Sequence, residues 1–239
     1  MPRTLRSTAT RGGRFPTANR TGVENVQELL RLPAPAPQPQ ALAFDGTSLW
    51  LGSRETLQIF SIDPATWTAR DEGRAPGKPY GMTVVGDELR VLCALQPSDD
   101  RVIYRYVPGH GFKDEGAIRP PEDTGSQLGY DGERLYVSQW YTKRIYALGE
   151  NGEVGSVIEV PHEIAGQVIV DGYFYLVTTE KDGDHGYWLT RVDARGATPR
   201  AEDIARIPFS ARSLAFDGER FWTNHREANE TVAFARPDA

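Results

Sequence analysis

An Asp-Gly pair returns along this chain at nearly even intervals, and no other feature restricts the fold so sharply. The pairs are Asp45-Gly46, Asp131-Gly132, Asp171-Gly172 and Asp217-Gly218, and Val85-Gly86-Asp87 fills the remaining gap. The glycines at 46, 86, 132, 172 and 218 are separated by 40, 46, 40 and 46 residues. Each pair lies between two short apolar runs. Leu42-Ala43-Phe44 leads into the first and Leu49-Trp50-Leu51 leaves it, while Leu214-Ala215-Phe216 and Phe221-Trp222 flank the last. Asp-Gly between alternating apolar runs predicts a hairpin, because glycine accepts the positive φ that such turns require. A period of about 40–50 residues built on short strands is that of propeller blades.

Two more strands recur in each repeat. The third is Ile59-Phe60-Ser61-Ile62, Ile103-Tyr104-Arg105-Tyr106, Ile145-Tyr146-Ala147-Leu148, Leu189-Thr190-Arg191-Val192 and Val232-Ala233-Phe234. The fourth ends on proline, as in Ala75-Pro76, Arg119-Pro120, Val160-Pro161 and Ile207-Pro208, which an outer strand tolerates because no ladder bond is lost there. After the fifth repeat the chain stops 21 residues beyond Gly218, with no fourth strand. Leu30-Arg31-Leu32-Pro33 has the outer-strand pattern and precedes the first repeat. The expected fold is therefore all-β, a five-bladed β-propeller of four-stranded blades whose ring is closed by an N-terminal strand. Closure of this kind pairs the exposed sheet edges.

The expected organisation is a flexible basic arm over residues 1–22 and a single propeller domain over 23–239. The arm holds Arg3, Arg6, Arg11, Arg14 and Arg20 and no acidic residue, so the remainder carries −11 of the formal net charge of −6. An acidic body argues against nucleic acid as a partner, since phosphate neutralisation needs clustered basic surface. No apolar run approaches the ~20 residues that span a bilayer, so no membrane partner is expected. Cys93 is the only cysteine, which excludes an intramolecular disulfide and sites built on several thiolates. With no leader-like segment, the expected location is the cytoplasm, although a secreted protein with its leader removed would carry the same residues. The chain is expected to be a monomer.

In a propeller the shared positions build the scaffold, so a site belongs where the blades differ. Four residues after the second-strand column Leu49, Leu89, Leu135, Phe174 and Phe221 stand Ser53, Cys93, Gln139, Thr178 and His225. That column is expected to reach the rim, because every second residue of a strand shares a face. The next reads Arg54, Ala94, Trp140, Thr179 and Arg226, and six residues before each turn glycine stand Gln40, Tyr80, Ser126, Gly166 and Arg212. Arg54, Arg212 and Arg226 are expected to converge near Trp140. Such a cluster points to an anionic or carboxylate-bearing small molecule, which a guanidinium fork binds bidentately.

Ligand contacts are accordingly assigned to Arg54, Tyr80, Gln127, Gln139, Trp140, Arg212, Asn224 and Arg226, with Tyr80 and Trp140 stacking. His225 is the candidate general base, since imidazole titrates near neutrality, and Glu180 and Glu227 are candidate carboxylate partners. No cofactor or metal is assigned. Asp182, Asp184 and His185 contain the atoms for a divalent cation but lack the later bidentate acid of an EF-hand loop. The acidic loop Pro97-Ser98-Asp99-Asp100 reads as solvated.

The run from Ser126 to Ser138, SQLGYDGERLYVS, resembles the glutamine cyclotransferase family of bacterial and plant glutaminyl cyclases, five-bladed propellers with a T-Q-G-L strand followed by an L-Y-E-S strand. Gln127 matches the glutamine of that motif, while Val137 occupies its acidic position and Leu128 stands where glycine is expected. The blades are also similar to NHL and streptogramin-lyase-like propellers, which share a D-G-x-x-L-W pattern. These resemblances imply the fold and a lyase or cyclising transferase acting in the channel mouth. The alternative is a non-catalytic binding module that engages a peptide or protein across the rim.

Overall fold

The Asp-Gly turns form as the spacing predicts, and the carboxylate does as much as the glycine. Asp45 Oδ1 accepts the backbone N–H groups of Thr47 and Ser48 at 2.8 and 2.7 Å, and its Oδ2 accepts Trp50 Nε1–H at 2.7 Å. Asp217 repeats the device with Glu219, Arg220 and Trp222, and Asp131 repeats it with Glu133, Arg134 and the Tyr136 hydroxyl. One side chain thus closes the turn and fixes the aromatic ring five residues on, which packs between blades. All five turn glycines have positive φ.

The structure, a computed structural model, describes residues 22–181, 185–196 and 198–237. After a closing strand β1 (Glu28–Pro33), blade one comprises β2 (Pro39–Phe44), β3 (Leu49–Ser53), β4 (Gln58–Asp63) and β5 (Thr68–Arg74). Blade two is β6 (Lys78–Val85), β7 (Glu88–Ala94), β8 (Arg101–Val107) and β9 (Gly111–Ile118). Blade three is β10 (Gln127–Tyr130), β11 (Leu135–Gln139), β12 (Arg144–Leu148) and β13 (Val154–Glu159). Blade four is β14 (Glu163–Val170), β15 (Tyr173–Thr179), β16 (Tyr187–Asp193) and β17 (Arg200–Ile207). Blade five is β18 (Ala211–Phe216), β19 (Arg220–His225) and β20 (Glu230–Ala235), completed by β1 in the order β1-β20-β19-β18.

Closure is by antiparallel pairing, with Leu30 opposite Ala233 and Leu32 opposite Thr231. Just ahead of β1, Asn25 makes a parallel bridge to Arg206, so the entering chain also holds blade four. The first strands β2, β6, β10, β14 and β18 pack in a ring around the channel. The core is divided into five parts, one between each pair of neighbouring blades. Trp50 and Tyr106 meet edge to face between blades one and two, as do Tyr136 and Phe174 between three and four, while Tyr175 and Phe221 meet at a tilt between four and five. Trp67 stacks on Trp222 at 5.6 Å across the closing seam. Neighbouring inner strands lie so close that a Cβ on Gly81 would stand 2.7 Å from the Cα of Gln127. No helix among the described residues is long and apolar enough to cross a membrane.

Candidate functional site

Bulges build the mouth of the channel. Along β2 the pairing with β3 skips from Pro39 to Ala41, leaving Gln40 as the extra residue. Tyr80 in β6 and Ala165 in β14 are the extra residues of equivalent bulges, and β18 has its own irregularity between Arg212 and Ala215. A bulge leaves its extra residue unpaired and re-aims the side chain. Gln40, Tyr80, Ala165 and Arg212 all line one cavity of about 440 Å³ at this end of the channel. Blade three contributes Ser126 and Gln127 from the start of its inner strand, and Gln139 and Trp140 from the end of its second. At the far end of the channel a second cavity of about 360 Å³ is walled mainly by apolar residues, among them Leu42, Met82, Val168 and Phe216.

Arginines dominate the mouth. The Arg212 guanidinium lies over the Trp140 ring, 5.2 Å from its centroid, and its Nη1 donates to the Tyr187 hydroxyl at 2.7 Å. Arg226 donates to Gln40 Oε1 at 2.9 Å and to Glu227 Oε1 at 3.2 Å. Burial first, and the charges of Arg212 and Arg54 after it, push Arg226 below its ordinary pKa, against the opposing pull of Glu227. Burial alone would raise the Glu227 carboxyl. Hydrogen bonds from its own backbone N–H and from Ser210, with Arg212 and Arg226 alongside, hold it below the usual carboxylate range. Arg54 lies over the Tyr80 ring at 4.6 Å, and Arg101 lies over the same ring at 4.0 Å. Arg101 is almost wholly buried; it donates to the Gly125 carbonyl at 3.2 Å and pairs with Asp99 at 3.0 Å.

The residues assigned from the sequence divide accordingly. Tyr80, Gln127, Gln139, Trp140, Arg212 and Arg226 line the cavity, and Arg54 stands immediately behind Tyr80. Asn224 does not line it; its Oδ1 accepts the Thr231 hydroxyl at 2.9 Å inside the sheet. His225 also stands outside the lining. Its ring stacks on Phe209 at 4.9 Å, with Nδ1 3.2 Å from Arg31 Nη1 and 3.7 Å from Glu230.

The reason is strand alternation. Of the column expected at the rim, Ser53, Cys93 and Thr178 are buried within the sheets and only Gln139 reaches the cavity. The rim residues come from the next column, where the chain leaves its ladder and Trp140 and Arg226 turn toward the axis. Thr179 in that column donates to the Gly186 carbonyl instead.

Glu180 sits elsewhere, at the rim of blade four. It meets His162 Nδ1 at 2.7 Å, and the other nitrogen of that imidazole is 3.7 Å from Asp203, which accepts the Thr190 hydroxyl at 2.5 Å. His185 Nδ1 is 3.5 Å from Glu180, while Asp182 and Asp184 of the candidate cation loop lie outside the described residues, as does the arm over 1–21.

Sequence reasoning missed Arg101, read the Asp99 loop as solvated, and set Glu227 beside His225 rather than beside Arg212 and Arg226. A signal for Arg101 existed. The third strands begin at Gln58, Arg101, Arg144, Tyr187 and Glu230, a uniform 43-residue period steadier than that of the glycines. Two members of that column serve the mouth, Arg101 directly and Tyr187 through Arg212.

No protein-family model matches the chain, and no curated protein matches it in sequence. Solved structures do. A glutaminyl cyclase from Myxococcus xanthus superposes with a TM-score of 0.64 at 13% identity, over 88% of this chain and 97% of that one. The PQQ-bound aldose sugar dehydrogenase from Streptomyces coelicolor matches with a TM-score of 0.51 at 12% identity, over 87% and 97%. A streptogramin B lyase structure matches more loosely, with a TM-score of 0.46 at 10% identity over 85% and 96%. At these identities the likeness establishes the architecture alone: the chain is a five-bladed β-propeller similar in fold to glutaminyl cyclase.

Proposed function

We propose that the cavity at the channel mouth binds a small molecule bearing a carboxylate or comparable anionic group, and that the protein acts on it as a lyase or cyclising transferase. The observation that carries the binding half is the convergence of Arg101, Arg212 and Arg226 on one concave pocket in a chain of net charge −6. Guanidiniums held with little water around them by Tyr187, Gln40 and Gly125 are pre-oriented, so a bound carboxylate meets donors that need no further ordering. The local field, not the net charge, decides which ligand enters.

For the chemical half, the supporting observation is Glu227, ionised beside Arg226. It lies at the outer edge of the mouth, outside the cavity lining, and we assign it as the base that takes a proton from the carbon next to a carboxylate held by Arg212 and Arg226, which stabilise the negative charge that develops. Expulsion of a group from the adjacent carbon would complete an elimination. The fold shared with a glutaminyl cyclase is compatible with such chemistry but does not assign it.

The test is a titration of small carboxylates followed by tryptophan fluorescence, since Trp140 lines the pocket. Arg212→Gln and Arg226→Gln should each weaken binding at least tenfold, and unchanged affinity in both removes the anion site. Glu227→Gln should keep binding and lose turnover of carboxylates carrying a leaving group; retained turnover removes the role of Glu227. One observation favours a second reading, a non-catalytic module for a peptide or protein. Tyr141, at the rim beside Trp140, is 76% exposed. That reading predicts binding of peptides across the rim and no turnover of any carboxylate.

A further inference from the structure

The positive charge at the mouth is arranged as two pairs rather than one cluster. Arg212 and Arg226 belong to blade five and share Glu227 at 4.0 and 3.2 Å. Arg54 and Arg101 come from the ends of β3 and β8, in blades one and two, and both lie within 5 Å of the Tyr80 ring centroid. Cation–π attraction to that one ring holds two like charges at the same side chain. Among the described residues, three lining arginines face one lining carboxylate, Asp99, which leaves two positive charges in surplus. Including Arg54 and Glu227 leaves the surplus at two.

We infer that the ligand of this site carries two separated acidic groups, one held by Arg212 and Arg226 and the other by Arg101, with the charge of Arg54 behind the Tyr80 ring reinforcing that end. The inference rests on the reading of the mouth as an anion site and narrows it to a class of substrate. Glu227 and Asp99 each offset one charge of a pair, so a monoacid still leaves the other pair with a net positive charge, and a partly buried charge without a partner is costly. A compact dianion such as phosphate delivers both charges to one pair and leaves the other facing nothing. A linear diacid compensates both. The cavity of about 440 Å³ equals the liquid volume of about fifteen water molecules at ~30 Å³ each, room for a chain of five or six carbons. Trp140 and the Tyr80 ring supply apolar surface for the methylenes.

The experiment is calorimetric titration at constant ionic strength with glutarate and adipate, with the monoacids valerate and hexanoate of matching length, and with inorganic phosphate. The diacids should bind at least tenfold more tightly than the monoacids and than phosphate. Arg101→Gln should cost the diacids at least tenfold and the monoacids less than threefold, because a single acid group is placed at the Arg212 end. Arg54→Gln asks the same question if Arg101→Gln fails to fold. Equal affinity of monoacid and diacid, or preference for phosphate, overturns the two-group inference and leaves the anion site standing. Failure of every carboxylate and of phosphate to bind overturns the anion site itself.

Discussion

Replacing Asp217 with alanine tests whether the repeated Asp-Gly turn holds the blades together through its carboxylate. The Asp217 side chain is only 6% exposed. It accepts the N–H groups of Glu219 and Arg220 at 3.0 and 2.8 Å and the indole N–H of Trp222 at 2.8 Å. The Trp222 residue is fully buried, so the variant leaves its Nε1–H without an acceptor, at about 1–3 kcal/mol. The two turn N–H groups lie near solvent and together add roughly 1 kcal/mol, while the part-exposed pair with Arg220 adds little. The expected loss is about 2–4 kcal/mol, or a fall in Tm of roughly 4–16 °C for a domain of this size.

Urea unfolding followed by tryptophan fluorescence and by circular dichroism reads the loss. A change under about 0.5 kcal/mol, the scatter of neutral surface substitutions, refutes the reasoning. The pH dependence supplies a second reading. The Asp217 pKa is lowered in the folded state: burial would raise it, but the hydrogen bonds from Arg220, Trp222 and Glu219 win. Its contribution is therefore complete above the unfolded value of about 3.9 and is lost as pH falls through the folded value. The wild type should lose stability over that acid range more steeply than Asp217→Ala.

Three further outcomes are expected. Deleting residues 23–33 removes β1 and bares the β20 edge, so the protein should unfold or aggregate; a monodisperse chain of unchanged Tm by size exclusion and calorimetry contradicts the closure. Gly81→Ala should cost about 1–3 kcal/mol by overpacking, because its Cβ would meet the backbone of Gln127 and Leu128 at 2.7 and 2.9 Å; an unchanged urea midpoint contradicts that contact. Burial raises the Cys93 thiol to about 12, so it should resist a thiol reagent at pH 8 until the protein is denatured, and fast labelling of the native protein contradicts its placement.

Much of the architecture was legible because a propeller writes its fold into a repeat. The turn glycines located every first hairpin, and counting the missing outer strand placed Leu30 and Leu32 on the last blade. The alternation of 40 and 46 residues has a local cause. In blades two and four the third strand begins 15 residues after the turn glycine, against 12 in the others, because the second strands β7 and β15 run seven residues and longer loops follow them. The site was legible in residue type more than in direction. Trp140, Arg212 and Arg226 meet as the charge pattern implied, because their columns differ among blades.

Asn224 is buried in the sheet and His225, on the opposite face, packs against Phe209 and Arg31, because both are still ladder residues of β19, which a column count does not mark. Arg101 escaped notice because its approach to Gly125 joins the third strand of one blade to the loop ahead of the next. The Glu180–His162–Asp203 chain likewise joins three separate segments, the residue after β15, the residue before β14 and the middle of β17.

The central claim is that unlike blade tips meet at one anion-binding mouth. A crystal of the protein soaked with a bromine-bearing dicarboxylate examines it most directly, since anomalous scattering locates the bromine independently of the density fit. The account predicts a bromine peak inside the cavity, with one carboxylate within hydrogen-bond distance of Arg212 and Arg226 and the other facing Arg101. A ligand seated only at the far end of the channel, or a mouth left without it at saturating concentration, would contradict the account.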